Sequence, residues 1–156
     1  QYEAFYHDIE TLIDSLLLRW RKILVLDIHS YNHRRAGSDM PPDNPLQNPD
    51  INVGTGTMPR ERWTPLVDTF IATLRSVSVR NQELDVRENV KFKGGYFPEW
   101  LHSRYPENVC VLSLECKKIF MDEWTATADI ACLDDLRHAI YAATAVVRRE
   151  LLNDQY

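Results

Sequence analysis

His29 and Glu115 are the two residues in this sequence best placed to do chemistry together. Each stands where an apolar run turns polar. Ile23-Leu24-Val25-Leu26 leads into Asp27-Ile28-His29, and Val109-Cys110-Val111-Leu112 leads into Ser113-Leu114-Glu115. Such runs read as strands buried on both faces of a sheet. Side chains alternate along a strand, so Ile23, Val25, Asp27 and His29 share one face, as do Val109, Val111, Ser113 and Glu115. If the two strands run the same way, the imidazole and the carboxylate reach one crevice at the strands' carboxyl ends, where open α/β sheets bind ligands. A histidine there can bind zinc through one ring nitrogen. A nearby carboxylate can take a proton from water and pass it to a leaving nitrogen. That pairing is the minimum for metal-assisted hydrolysis of an amide, with Asp27 orienting His29 from behind. A structural account fits the same residues. A histidine at a strand end is more often simply hydrogen-bonded, and Glu115 could pair with Lys117 or Lys118 at the surface.

Helical patterns surround these strands. Phe5, Ile9, Leu12, Ile13, Leu16, Leu17 and Trp20 follow helical spacing, which predicts an amphipathic helix over residues 3 to 20. A short link then leads into the first strand, as in half of a crossover unit. Thr64 and Pro65 read as an N-cap and first helical residue of a helix reaching about residue 77. Leu84 to Glu88 reads as a short strand, and Pro98, Trp100 and Leu101 as a short helix. A long closing helix carries Cys132, Leu136, Ile140, Ala143, Val147 and Leu151. His7, His102 and His138 fall in helical patterns and read as surface or helix-face residues. The pattern predicts an α/β fold with a mixed, largely parallel sheet flanked by helices, in one domain over residues 1–156.

Two loops flank the candidate site. Residues 36 to 50 carry Gly37 and four prolines and follow the His29 strand, so they are expected to wall the same site. Lys91-Phe92-Lys93-Gly94-Gly95-Tyr96 is a turn whose glycines let a backbone approach a ligand. The Gly54-x-Gly56 turn could cradle an anion, but there is no GxGxxG and no Walker lysine, so nucleotide binding is rejected.

The bulk properties narrow the partners. The 156 residues carry a net charge of −5 with no long basic block, which argues against nucleic acid. No apolar run is long enough to span a membrane. Three cysteines without a CxxC pair read as reduced, buried thiols in the cytoplasm.

The order of short motifs resembles the N-formylglutamate amidohydrolase family. The motifs are Tyr2-x-x-Phe5-Tyr6, Asp27-Ile28-His29-Ser30, Pro49-Asp50-Ile51-x-x-Gly54-Thr55, Asn89-x-x-x-x-Gly94-Gly95-Tyr96 and Leu114-Glu115-x-x-x-Ile119-Phe120-Met121-Asp122-Glu123. Ile28-His29-Ser30-Tyr31 and Leu112-Ser113-Leu114-Glu115 are also similar to strand ends of the zinc carboxypeptidases. The resemblance implies a zinc-exopeptidase-like fold, Zn2+ as cofactor, His29 as a zinc ligand and Glu115 as general base and acid. It also implies that Asn89, Gly94, Gly95 and Tyr96 line the pocket of a small N-acyl amino acid, N-formylglutamate foremost. Arg34, Arg35 and Arg87 are candidates for gripping substrate carboxylates, since a guanidinium offers a bidentate fork. The sequence departs from that superfamily in having no HxxE for the remaining ligands. The expectation is a C-terminal part of a larger domain, inactive alone, with an open sheet edge that pairs with a preceding segment or a second copy. The rival readings are a carboxypeptidase or amidase acting on peptides, and a non-catalytic binding module.

Overall fold

The computed structural model describes residues 2–153. The elements run α1 (Tyr2–Leu17), β1 (Ile23–Tyr31), β2 (Ile51–Gly54), α2 (Thr64–Ser76), β3 (Ser78–Val79), β4 (Gln82–Glu83), β5 (Val86–Glu88), α3 (Tyr96–Arg104), β6 (Val109–Lys117) and α4 (Ile130–Asn153). Among the described residues four strands form the main sheet in the order β1-β6-β2-β5. β1 pairs with β6 in parallel, β6 with β2 antiparallel, and β2 with β5 in parallel. The sheet is therefore mixed and mostly parallel, as expected. The small β3–β4 hairpin is an addition that the sequence pattern does not reveal; Arg80 and Asn81 turn it with positive φ.

Alternation along β6 divides the core. Cys110, Leu112, Leu114 and Cys116 face a large cluster with Val67, Phe70, Leu74, Leu136, Ala143 and Val147 of α2 and α4. Val109 and Val111 face a smaller cluster with Ile13 of α1 and Leu101 of α3. Helices thus cover both faces of β6, which is buried along nearly its whole length.

β1 departs from expectation. It was predicted to be buried on both faces, but it is half-buried and becomes exposed at Ile28, His29 and Ser30. Its partner among the described strands is β6, which leaves its other side as a sheet edge. The helix ends also shift. α1 stops at Leu17, and the N–H groups of Arg19 and Trp20 both donate to the Leu16 carbonyl, so Trp20 lies in the turn. Thr64 is the first residue of α2 rather than its cap. Its hydroxyl donates back to the Arg60 carbonyl, Trp63 takes the cap position and Pro65 follows in the first turn, where a missing N–H costs nothing. At α4 the cap is Asp129, whose carboxylate accepts from the Cys132 N–H at 3.0 Å.

Candidate functional site

The register brings His29 and Glu115 directly opposite one another on β1 and β6. Neighbouring strands lie about 5 Å apart and register partners point to the same face. The two therefore continue the α1/α3 face, where Ile23 and Val25 of β1 and Val109 and Val111 of β6 give way to Asp27 and Ser113 and then to His29 and Glu115. The row extends further across the sheet. Asn52 of β2 stands opposite Glu115, and Arg87 of β5 stands opposite Asn52. A polar row, His29–Glu115–Asn52–Arg87, crosses all four strands.

His29 is held by its neighbour on the same strand. His29 Nε2 lies 2.8 Å from Asp27 Oδ1, and Asp27 Oδ2 accepts from the Ser113 hydroxyl at 3.3 Å. With Nε2–H donating to Asp27, Nδ1 carries the lone pair and remains open to a ligand. Burial lifts the Glu115 carboxyl above its ordinary range, His29 works against that shift and Asp27 adds to it. A carboxyl shifted upward in this way is better suited to accept and return a proton near neutrality.

Asn52 is fully buried, and its side chain stitches the 91–92 turn to the sheet. Its amide donates to the Phe92 carbonyl at 2.7 Å, and its oxygen accepts from the Lys91 and Phe92 N–H groups at 2.8 and 3.3 Å. The following glycines let the turn lie close against β2. A Cβ on Gly54 would stand 2.7 Å from the Gly94 nitrogen, and Gly94 itself has φ +108°. This packing presents Phe92, Gly94, Gly95 and Tyr96 over the sheet.

Two cavities meet at His29, Phe92 and Glu115. One, of about 650 Å³, is also lined by Arg34, Arg35, Glu123 and Trp124. The other, of about 510 Å³, is lined by Asp27, Ser113, Gly94, Gly95, Tyr96 and Phe5. The structure thus brings together eight of the sequence-expected residues: His29, Glu115, Asp27, Arg34, Arg35, Gly94, Gly95 and Tyr96. Arg87 and Asn89 line neither cavity. Arg87 bonds Asp85 and the carbonyls of Pro45 and Leu46, which fastens the 36–50 loop to β5. Asn89, at φ +56°, accepts from the Thr55 N–H and donates to the Thr55 hydroxyl. Both side chains are committed to holding loops. The 36–50 loop likewise leaves the cavity wall to others, because Tyr31 donates to the Pro49 carbonyl and Lys117 pairs with Asp50, drawing the loop's end against the sheet.

Sequence reasoning missed Asn52, Phe92 and Trp124. Asn52 carried the same signal as Asp27, a polar residue inside an apolar strand. Phe92 and Trp124 are loop aromatics with no periodicity to mark them. His102, placed correctly on a helix, is buried rather than on the surface. β2 stops pairing with β6 at Ser113, so the Val111 N–H would otherwise lack a partner, and His102 Nε2 accepts it at 3.0 Å. Among the described residues no group of three or more His, Cys, Asp or Glu side chains could hold a metal ion. An imidazole with one open nitrogen, oriented by a carboxylate, fits one ligand of a zinc centre but does not complete one.

Comparison with known proteins bears on the family and the fold. A model of the N-formylglutamate amidohydrolase family matches residues 1–121. The crystal structure of N-formylglutamate amidohydrolase from Ralstonia eutropha JMP134 has the same fold, with a TM-score of 0.66 and 16% identity over 95% of this chain and 50% of that one. This chain therefore spans about half the length of that enzyme. No curated protein sequence matches.

Proposed function

The chain belongs to the N-formylglutamate amidohydrolase family, and from that premise we propose that it carries half of the active site of a zinc-dependent amidohydrolase. The substrate is an N-acyl amino acid, with N-formylglutamate favoured. The observation that carries this reading is the direct opposition of His29 and Glu115 in the β1–β6 register, where both line the two adjoining cavities.

His29 Nδ1 is the zinc donor that these residues offer, and Asp27 holds the ring. A catalytic zinc takes about three protein ligands, so the others come from a segment outside the described residues. When bound, zinc would supply Lewis acidity to the amide carbonyl. Glu115 takes a proton from the attacking water as its oxygen bonds the formyl carbon. It then delivers that proton to the nitrogen as the C–N bond breaks, which releases formate and the free amino acid. Arg34 and Arg35 offer guanidinium groups to the substrate carboxylates in the larger cavity. Gly95, with no atom within 4 Å of the place a Cβ would take, leaves room for the acyl end in the smaller one. Three buried cysteines free of disulfides suit a reducing compartment such as the cytoplasm.

The test uses the full-length protein. It is expected to bind zinc and release formate from N-formylglutamate. Glu115→Gln should slow release by about a thousandfold, within the range for a lost general base, while the fold persists. Unchanged turnover in a folded variant would overturn the mechanism. Release of a C-terminal residue from peptides in place of formate would favour a carboxypeptidase, and a metal-free, inactive full-length protein would favour a binding module.

A further inference from the structure

The loop after β1 and the loop after β6 are tied together by one carboxylate. Only 3% of the Glu123 side chain is exposed. Its Oε1 accepts from the His33 backbone N–H at 2.7 Å and lies 2.8 Å from His33 Nδ1. Its Oε2 accepts from the Arg34 backbone N–H at 3.3 Å. Trp124 grips the same residue from the other side, its indole N–H donating to the Arg34 carbonyl at 3.2 Å. Asp122 shapes the turn that presents both, accepting from the Trp124 and Thr125 N–H groups at 2.9 and 2.8 Å.

Burying a carboxylate is costly unless hydrogen bonds compensate it. Here those bonds go to loop backbone, and what they fix is the stretch from which Arg34 enters the larger cavity. Arg34 Nε is itself buried with no hydrogen-bond partner among the described residues. An unmet guanidinium donor is unfavourable, and an anion bound in the cavity would relieve it.

We propose that Glu123 is a positioning residue that, with Trp124, holds Arg34 so that its guanidinium takes the side-chain carboxylate of the substrate. The clamp thereby sets a preference for a dicarboxylic amino acid over an uncharged one. This rests on the hydrolase reading for the identity of the substrate, but the clamp can be tested without turnover.

The probe is glutarate, titrated calorimetrically into the full-length protein. Glu123→Gln is expected to weaken glutarate about tenfold, the equivalent of one charge-assisted hydrogen bond, and Arg34→Ala to weaken it further. Adding Glu123→Gln to Arg34→Ala should change little, because the clamp acts through Arg34. Trp124→Phe, which removes the indole N–H bond and leaves an aromatic ring in its place, should give a smaller loss of the same sign, and it carries the test if Glu123→Gln fails to fold. In turnover, Glu123→Gln should cut the preference for N-formylglutamate over N-formylglutamine through KM rather than kcat. The proposal is overturned if wild type does not bind glutarate. It is also overturned if the clamp variants bind it as wild type does, or if Glu123→Gln weakens it as much in the Arg34→Ala background as alone. A protein that binds glutarate with this pattern but releases no formate would sink the hydrolase reading and leave the clamp standing.

Discussion

On the α2/α4 face, the row Ser30–Cys116–Ile51–Val86 crosses four strands, and its last three members are buried. One residue earlier on β1 and β6, on the α1/α3 face, the row His29–Glu115–Asn52–Arg87 is polar throughout. The same hydrogen-bonded ladder supports both. The difference lies in how far the helices reach. α2 and α4 cover their face up to Leu114 and Cys116. The cluster under α1 and α3 stops at Val111, so the strand ends beyond it open into cavities. A sheet can therefore be stable on one side and chemically available on the other at the same strand positions.

The largest effect expected from this contrast is on stability. Leu112→Ala, on the fully covered face, should cost about 2–5 kcal/mol in denaturant unfolding. Ser113→Ala, one residue on and facing the cavity, should cost under about 1 kcal/mol, since it removes a single hydrogen bond. Equal losses would break the comparison.

His102 stands at the border between the two parts of the α1/α3 face and should report it by pH. Burial pushes its imidazole down to about 4, against which its bond with Thr57 works only partly. The unfolded chain binds the proton near its ordinary pKa, so between about 6.5 and 4 the unfolded state holds more protons. The full contribution of neutral His102 is present above about pH 6.5 and is lost as pH falls towards 4, a decline of roughly 3 kcal/mol. Unfolding measured across that window should show the slope, and His102→Gln should flatten it.

The last expected effect sharpens the polar side. Asp27→Asn keeps the shape beside His29 but removes the charge that orients the ring. Under the zinc-dependent mechanism proposed above, zinc affinity of the full-length protein should fall by about 10–100-fold, the usual cost of losing such a partner. An unchanged affinity would mean that the Asp27–His29 bond serves the fold alone.

Much of this was legible in the residues. Apolar runs identified β1 and β6, alternation put Asp27 with His29 and Ser113 with Glu115, and helical spacing found all four helices. Arg87 and Asn89 could not be sorted from true cavity residues. A guanidinium that grips a substrate and one that grips the carbonyls of Pro45 and Leu46 look the same in one dimension. Glu123 and Trp124 read as loop, because nothing local shows what a loop carboxylate will meet 90 residues away.

By itself, the sequence determined the strand faces and the helix stripes, because these follow from periods of two and 3.6 that neighbouring residues impose on one another. Tertiary structure decided that β1 lies at an edge among the described strands and half exposed, and that His29 stands opposite Glu115 in the register. It also decided that Glu123 reaches back to Arg34. Those outcomes depend on pairings between distant segments, whose energies come from burial and hydrogen bonds that exist only once the chain has closed on itself.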